Sequence, residues 1–145
     1  MTVRDMLKEK GPQVYTIGDE KTVADAIEIL VNNNIGSLLV LNSGGKISGI
    51  ITERDVLNLT HKLPDGFRDV KVNEVMTKKL IVAEPDDEMD YIESVMTENR
   101  IRHLPIIENK VLVGMISIGD IVKNQIQKFR HENKYLMDYI SGNVK

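Results

Sequence analysis

The sequence predicts an α/β (α+β) fold made of two similar halves, and a duplicated phrase is the main evidence for it. Residues 49–55 read Gly-Ile-Ile-Thr-Glu-Arg-Asp, and residues 114–120 read Gly-Met-Ile-Ser-Ile-Gly-Asp. Three further blocks recur in the same order, namely 3–7 on 72–76, 22–34 on 88–100 and 35–40 on 101–106. Four matched blocks in one order indicate an internal duplication.

The first half predicts the order short helix, strand, helix, strand, strand, helix. Thr22 lies where an N-cap belongs, and apolar residues recur after it at helical spacing: Val23, Ala26, Ile27, Leu30 and Val31. A short strand is predicted before this helix at 14–17, and two more follow it at 37–41 and 46–51, joined by a Gly-Gly turn.

The second half repeats this order. Its helix is predicted from residues at the same phase, Met89, Ile92, Val95 and Met96. Strands are predicted at 80–83, 104–107 and 111–116. Pro105 lies within one of them, which favours an edge or starting position because proline has no N–H to donate.

A long helix is predicted after the second phrase, because no Gly or Pro interrupts residues 120–140. Its apolar residues Val122, Ile126, Phe129, Leu136 and Ile140 follow a 4-3-7-4 spacing, with Asn133 in the gap and Gly142 as the expected C-cap. Two interpretations stay open: packing on its own domain or a twin subunit, or a short dimer seam whose register Asn133 fixes.

These observations divide the chain into four segments. We place the first repeat at 1–62, a linker at 63–70, the second repeat at 71–123 and a C-terminal helical extension at 124–145. The two repeats are expected to form one compact module.

Composition limits the classes of function. The net charge of −3 and pI near 5.6 argue against binding to nucleic acid or to an anionic membrane. No apolar run approaches the length that spans a bilayer, and the charged start lacks a signal peptide's apolar core. The chain has no cysteine, which excludes disulfides and thiolate chemistry. We predict a cytoplasmic protein.

The duplicated phrase places a hydroxyl and a carboxylate at a strand-to-helix junction. Thr52 and Ser117 can cap the helix or hydrogen-bond a phosphate at its N-terminus. Asp55 and Asp120, three residues later, can accept hydrogen bonds from the vicinal hydroxyls of a ribose. The alternative is a plain capping box, in which the acid only helps to start the helix.

The two copies differ in charge. Arg54 can add a charge-assisted bond to phosphate, whereas Gly119 occupies the matching position in the second copy. We therefore expect the Asp55 site to bind nucleotide more tightly.

With its preceding apolar-x-x-Leu-Pro/Leu-Val/Ile strand, the phrase resembles the cystathionine β-synthase (CBS) domain, and two in tandem resemble a CBS pair, or Bateman module. The resemblance covers roughly residues 2–123. It implies two repeats related by a pseudo-twofold axis, each a small three-stranded sheet flanked by helices, with two clefts between them. It also implies a homodimer, commonly a flat disc.

The resemblance implies adenosine-containing ligands in those clefts, and it assigns residues to each. Thr52, Arg54 and Asp55 belong to one site, where Ala83, Ile101, Arg102 and His103 would complete the contacts. Ser117, Gly119 and Asp120 belong to the other, where Thr16, Ile35 and Ser37 would do the same. The strand at 37–41 departs from the family pattern because it lacks the proline that Pro105 supplies in the second copy.

The predicted function is therefore regulation without catalysis. AMP, ADP or ATP would bind and change how the module meets an unidentified partner protein. The alternatives are a sensor of NAD(H), another dinucleotide or S-adenosylmethionine, and a protein-docking module without a tight ligand. No enzyme motif occurs, and His61, His103 and His131 have no partner acid at a telling spacing, so we predict no catalytic residue, no metal and no cofactor.

Overall fold

The computed structural model describes residues 1–11 and 14–140 of the chain. Its helices are α1 (Val3–Lys10), α2 (Val23–Asn33), α3 (Glu53–Lys62), α4 (Val72–Val75), α5 (Met89–Asn99) and α6 (Ile118–Ile140), with a 3₁₀ turn at Phe67–Asp69. Its strands are β1 (Thr16–Gly18), β2 (Ser37–Leu41), β3 (Ile47–Thr52), β4 (His103–Glu108) and β5 (Val111–Ser117). The predicted mixed α/β architecture and the C-terminal helix are confirmed.

The described residues form two compact units, and unit 1 joins two separate stretches of the sequence. Unit 1 takes its residues from Met1–Pro12 and Val82–Lys145, and unit 2 takes them from Gln13–Ile81. The short helix before each repeat therefore packs with the other repeat's strands: α1 belongs to unit 1, and α4 belongs to unit 2.

Unit 2 contains a three-stranded sheet in the order β1-β2-β3. β1 is parallel to β2, and β2 is antiparallel to β3 with Ser37 opposite Thr52. The sheet and α2 share a core: Ile17, Val23, Ala26, Leu30, Leu38, Val40, Ile51 and Val72. Val31 was predicted on the apolar face of α2, but it is 71% exposed because it lies at the edge of that face.

The linker at 63–70 is part of unit 2, and hydrogen bonds at its end and at Val72 join it to the start of α2. Val23 N donates to Val70 O at 2.8 Å, and Val72 N donates to Lys21 O at 2.8 Å. Phe67 and Val70 are partly buried against the unit 2 core. The segment between the repeats thus helps to hold the start of α2.

Unit 1 contains the antiparallel pair β4-β5, and the strand predicted at 80–83 is reduced to one bridge. Ala83 pairs in parallel with Ile106, through Ala83 N to Pro105 O at 3.0 Å and Ile107 N to Ala83 O at 2.9 Å. In unit 2 the ladder continues on both sides, through Leu39 N to Tyr15 O and Asp19 N to Leu41 O.

Two prolines explain why the unit 1 ladder stops. The residues that match Leu39 and Asp19 as donors are Pro105 and Pro85, and neither has an N–H. The third strand therefore cannot extend beyond Ala83 in either direction.

The duplicated glycines, Gly49 and Gly114, allow α4 and α1 to approach the sheets closely. A Cβ on Gly49 would lie 2.8 Å from the carbonyl oxygen of Thr77, just after α4. A Cβ on Gly114 would lie 2.6 Å from Leu7 Cδ2 on α1. Glycine begins each phrase because a neighbouring segment occupies the space of a side chain.

The last helix, α6, covers the span predicted for it, and the described residues end at Ile140. The expected C-cap, Gly142, lies outside the described residues. Within the described part of the chain, none of the helices combines the length and the apolar character that crossing a membrane requires.

Candidate functional site

Each duplicated phrase forms the junction between a strand and a helix. Thr52 ends β3 and is the N-cap of α3, which begins at Glu53. Thr52 N and Thr52 Oγ1 donate to Asp55 Oδ2 at 2.9 and 3.1 Å, and Asp55 N donates to Thr52 Oγ1 at 3.3 Å. These bonds form a capping box that fixes the orientation of the carboxylate.

A residue outside the phrase completes the surroundings of Asp55. Thr77 Oγ1 lies 3.3 Å from Asp55 Oδ1 and 3.4 Å from Oδ2. Thr77 is held there by a bridge to Ile50, with N–H···O distances of 2.8 and 3.0 Å. Asp55 is thus contacted by neutral donors and is half-buried.

The second junction has the same cap and a different third partner. Ser117 N donates to Asp120 Oδ2 at 2.8 Å, and Asp120 N donates to Ser117 Oγ at 3.1 Å. Lys10 Nζ, from α1, lies 2.7 Å from Asp120 Oδ2 and 2.6 Å from the carbonyl oxygen of Met115. The Asp120 carboxylate is therefore in a salt bridge.

Two opposing effects act on Asp120. Burial raises the pKa of this carboxyl, but the hydrogen bonds from Lys10 and Ser117 and the Lys10 charge outweigh burial, so the pKa lies below its usual value. Asp120 is therefore an anion at neutral pH.

The capping box alone does not mark a ligand site. The boxes Thr2–Asp5 and Thr22–Asp25 have similar distances, with backbone N to Oδ2 at 3.0 and 3.1 Å. Asp5 and Asp25 are exposed, and the bonds from Thr2 and Thr22 lower the pKa of each. Asp55 and Asp120 form capping boxes as well, but they differ by lying in the first turn of a helix that directly follows a strand and by being half-buried.

Backbone bonds place the start of the preceding strand beside each junction. Glu53 N donates to Gly36 O at 3.0 Å, and Ile118 N donates to Arg102 O at 2.9 Å. The strand register then sets Ser37 opposite Thr52, and His103 opposite Ser117.

The other predicted residues occupy equivalent positions in the two units. Thr16 begins β1, and Ala83 forms the bridge to β4. Ile35 and Ile101 each follow a left-handed helix-capping residue, Asn34 and Arg100. The side chains of Arg54 and Arg102 are exposed, as is Gly119.

The described contacts therefore bring predicted residues together within each unit. Ser37 lies with Thr52 and Asp55, and Arg102 and His103 lie with Ser117 and Asp120. The assignment of each set to the opposite repeat's carboxylate stays a prediction.

Sequence reasoning missed two residues, Thr77 and Lys10. Thr77 follows the matched block 72–76 directly, and Lys10 follows its counterpart 3–7 by three residues. The recurrence of these blocks was the available signal. It did not show contact with the carboxylates, because Lys10 and Asp120 are 110 positions apart.

A surface depression in unit 2 is lined by Gly18–Lys21 and Leu41–Ser43, at the end of β2 remote from Ser37. Over residues 1–11 and 14–140, no group of three or more His, Asp or Glu side chains is arranged to hold a metal ion.

Comparison with known proteins bears on both units. The chain matches the family model of the CBS domain twice, over residues 3–62 and 72–126. The CBS domain-containing protein CBSX3, mitochondrial, of Arabidopsis thaliana is 36% identical over 97% of this chain and 72% of its own length.

Solved structures agree with this match. The crystal structure of a CBS-domain containing protein from Agrobacterium tumefaciens has a TM-score of 0.82 at 34% identity, and covers 86% of this chain and 92% of its own. The CBS domain pair of protein MJ0100, crystallised with 5′-methylthioadenosine and S-adenosyl-L-methionine, has a TM-score of 0.76 at 26% identity, covering 88% and 98%. With two matched repeats, this chain belongs to the CBS-domain family as a tandem pair.

Proposed function

We propose that this chain is a regulatory CBS pair that binds adenosine-containing ligands, with Asp55 and Asp120 as the ribose-binding groups. The observation that carries the proposal is the duplicated carboxylate at a strand-to-helix junction. At each junction the capping bonds go to one oxygen, Oδ2, and so restrict the orientation of the carboxylate. A half-buried, oriented carboxylate suits the paired hydroxyls of a ribose.

We propose AMP, ADP or ATP as the ligand, with the tighter binding at Asp55. Arg54, in the first turn of α3, supplies a cation for phosphate, and Gly119 supplies none. The contacts add a second reason. Lys10 already occupies the carboxylate of Asp120, so ribose hydroxyls must compete with an ammonium there, whereas at Asp55 they meet only the long contacts from Thr77.

Calorimetric titration of AMP into wild type, Asp55→Asn and Asp120→Asn tests this proposal. We expect Asp55→Asn to weaken binding by about tenfold or more, as for loss of a charge-assisted hydrogen bond, and Asp120→Asn to weaken it less. Asp25→Asn is the matched control, because Asp25 has the same capping box but is exposed. A greater loss from Asp120→Asn would overturn the ranking, and an equal loss from Asp25→Asn would show that the effect is structural.

A second class of ligand has its own support. The MJ0100 pair was crystallised with S-adenosyl-L-methionine and 5′-methylthioadenosine, which share the ribose with AMP and lack its phosphate. The same titration with S-adenosylmethionine and with NAD(H) distinguishes these sensors from an adenine-nucleotide sensor. If wild type binds none of these ligands, the protein-docking alternative is favoured.

We propose regulation of a partner protein rather than catalysis. The described hydrogen bonds of Asp55 and Asp120 come from the helix caps, from the Thr77 hydroxyl and from the Lys10 ammonium, and they suit a binding group rather than a poised base. A ligand can shift the module between two states only by its differential affinity for them. Chromatography of ATP after prolonged incubation with the chain should recover it unchanged, and ADP or AMP formation that Asp55→Asn abolishes would contradict this.

A further inference from the structure

The first turns of the last helix pack on the rest of unit 1, and the remainder is exposed. Ile121 is buried, and Gln125 Nε2 donates to Glu93 Oε1 at 2.8 Å, which is a contact with α5. From Gln125 to Met137 every residue is exposed. Helices in proteins gain most of their stability from packing of an amphipathic face, so this exposed part of α6 would be stabilised by a partner surface.

The exposed part of α6 has an apolar seam at heptad spacing. The α6 seam consists of Val122, Ile126, Phe129, Asn133, Leu136 and Ile140, which alternate steps of four and three residues. Its apolar members are exposed by 46% at Val122, 45% at Ile126, 69% at Phe129, 56% at Leu136 and 78% at Ile140. A strict four-three pattern is the seam of a coiled coil rather than the wider face of a helix packed on a globular core.

The residue types at each heptad position identify the partner. Ile126, Asn133 and Ile140 occupy the a positions, while Val122, Phe129 and Leu136 occupy the d positions. Isoleucine at a combined with leucine at d favours two strands, and Leu136 supplies that leucine. A single asparagine at a fixes register, because its amide both donates to and accepts from its counterpart. We propose that α6 forms a parallel, two-stranded coiled coil with α6 of a second copy of this chain.

Charge and polarity disfavour the antiparallel alternative. An antiparallel pair centred on residue 131 would set Asn133 against the ring of Phe129, where its amide has no partner. It would also set Arg130 beside its own copy and Glu132 beside its own copy, which is repulsive. In the parallel pair Asn133 faces Asn133, and Gln125 lies beside Arg130 of the other helix.

Sedimentation velocity over a range of concentrations tests the seam on the full chain, and its result does not depend on the proposed ligand. We expect wild type to be a dimer whose dissociation constant Phe129→Glu raises about tenfold or more, since the variant would bury a carboxylate against its copy. Gln127→Glu adds the same charge outside the seam and should leave the dissociation constant unchanged. A monomeric wild type, a larger oligomer, or a dimer that Phe129→Glu leaves intact would overturn the proposal.

Cysteine cross-linking tests the orientation without a destabilising change. The natural chain has no cysteine, so single introduced thiols report unambiguously. Under mild oxidation, Asn133→Cys should form a covalent dimer, whereas Lys134→Cys, outside the seam, should not. Cross-linking of mixed Phe129→Cys and Asn133→Cys chains, with little from Asn133→Cys alone, would show an antiparallel pair and overturn the parallel one.

Discussion

Asp55 and Asp120 share a helix cap and differ in their third partner. Thr77 gives Asp55 a neutral hydroxyl, and Lys10 gives Asp120 an ammonium at 2.7 Å. Sequence alone suggests that the second copy has lost its cation, because Gly119 replaces Arg54. The structure places a cation from α1 on the Asp120 carboxylate, so the two junctions are unequal in a way that the phrase itself does not encode.

The Lys10–Asp120 pair predicts a pH dependence of stability. The pKa of Asp120 is lowered from 3.8 in the folded chain, so the pair stabilises the fold above that pH and the contribution is lost as pH falls through the lowered value. We expect Asp120→Asn to lower the free energy of unfolding at neutral pH by about 1 kcal/mol, after allowance for solvent screening. The loss should shrink in acid.

Chemical unfolding at several pH values, followed by circular dichroism, checks this dependence. Lys10→Met removes the same salt bridge from its other side, so it should lose stability over the same pH range. A difference between wild type and Asp120→Asn that stays constant from neutral to acid pH would contradict the role of the ion pair.

At the scale of elements, local pattern predicts most helices and strands. The apolar spacing after Thr22 and the matching spacing in the second half correspond to α2 and α5, and the paired apolar runs correspond to β2–β3 and β4–β5. The prediction was wrong at 80–83, where the apolar run is present but two prolines remove the ladder donors. A strand depends on its neighbour's donors, which periodicity within one segment does not reveal.

The site is less predictable than the elements for a related reason. The sequence locates Thr52, Asp55, Ser117 and Asp120 at junctions because strand, cap and acid are consecutive. Lys10 reaches its junction only through the packing of α1 on unit 1, which is a contact distant in sequence. Local chemistry is therefore readable from the phrase, and the charge that modifies it is not.

Gly49 and Gly114 provide a prediction about how α4 and α1 pack on the sheets. Gly49→Ala would meet the Thr77 carbonyl oxygen, which cannot move without disturbing its bridge to Ile50. At Gly114→Ala, the nearest atoms to the added Cβ belong to the flexible side chain of Leu7. We expect a loss of about 2–3 kcal/mol at Gly49 and about 1 kcal/mol at Gly114. Chemical unfolding of both variants measures the difference.

Gly66→Ala is the control for the glycines, because no atom lies within 4 Å of the added Cβ. It should change stability by less than about 0.5 kcal/mol. If Gly49→Ala and Gly114→Ala lost the same free energy of unfolding, the difference between meeting a backbone atom and meeting a side chain would not explain the loss.

At the scale of the whole molecule, chain order and spatial units differ. α1 and α4 are matched in sequence, and each begins with a fully buried valine, Val3 or Val72. Val3 N donates to Asp87 O at 2.9 Å in unit 1, and Val72 N donates to Lys21 O at 2.8 Å in unit 2. Each unit is thus completed by the segment that precedes the other repeat.

This arrangement predicts which unit each valine stabilises. Val3→Ala should reduce hydrogen-exchange protection mainly in β4 and β5, although residue 3 precedes the first repeat, and Val72→Ala should reduce it mainly in β2 and β3. Each substitution leaves a cavity in a closed core, so we expect a loss of about 2 kcal/mol in the affected unit. Val31→Ala removes the same atoms from a residue that is 71% exposed and should leave both sheets protected. If Val3→Ala instead lowered protection in β2 and β3 more than in β4 and β5, the assignment of α1 to unit 1 would be wrong, because a cavity weakens first the strands that line it.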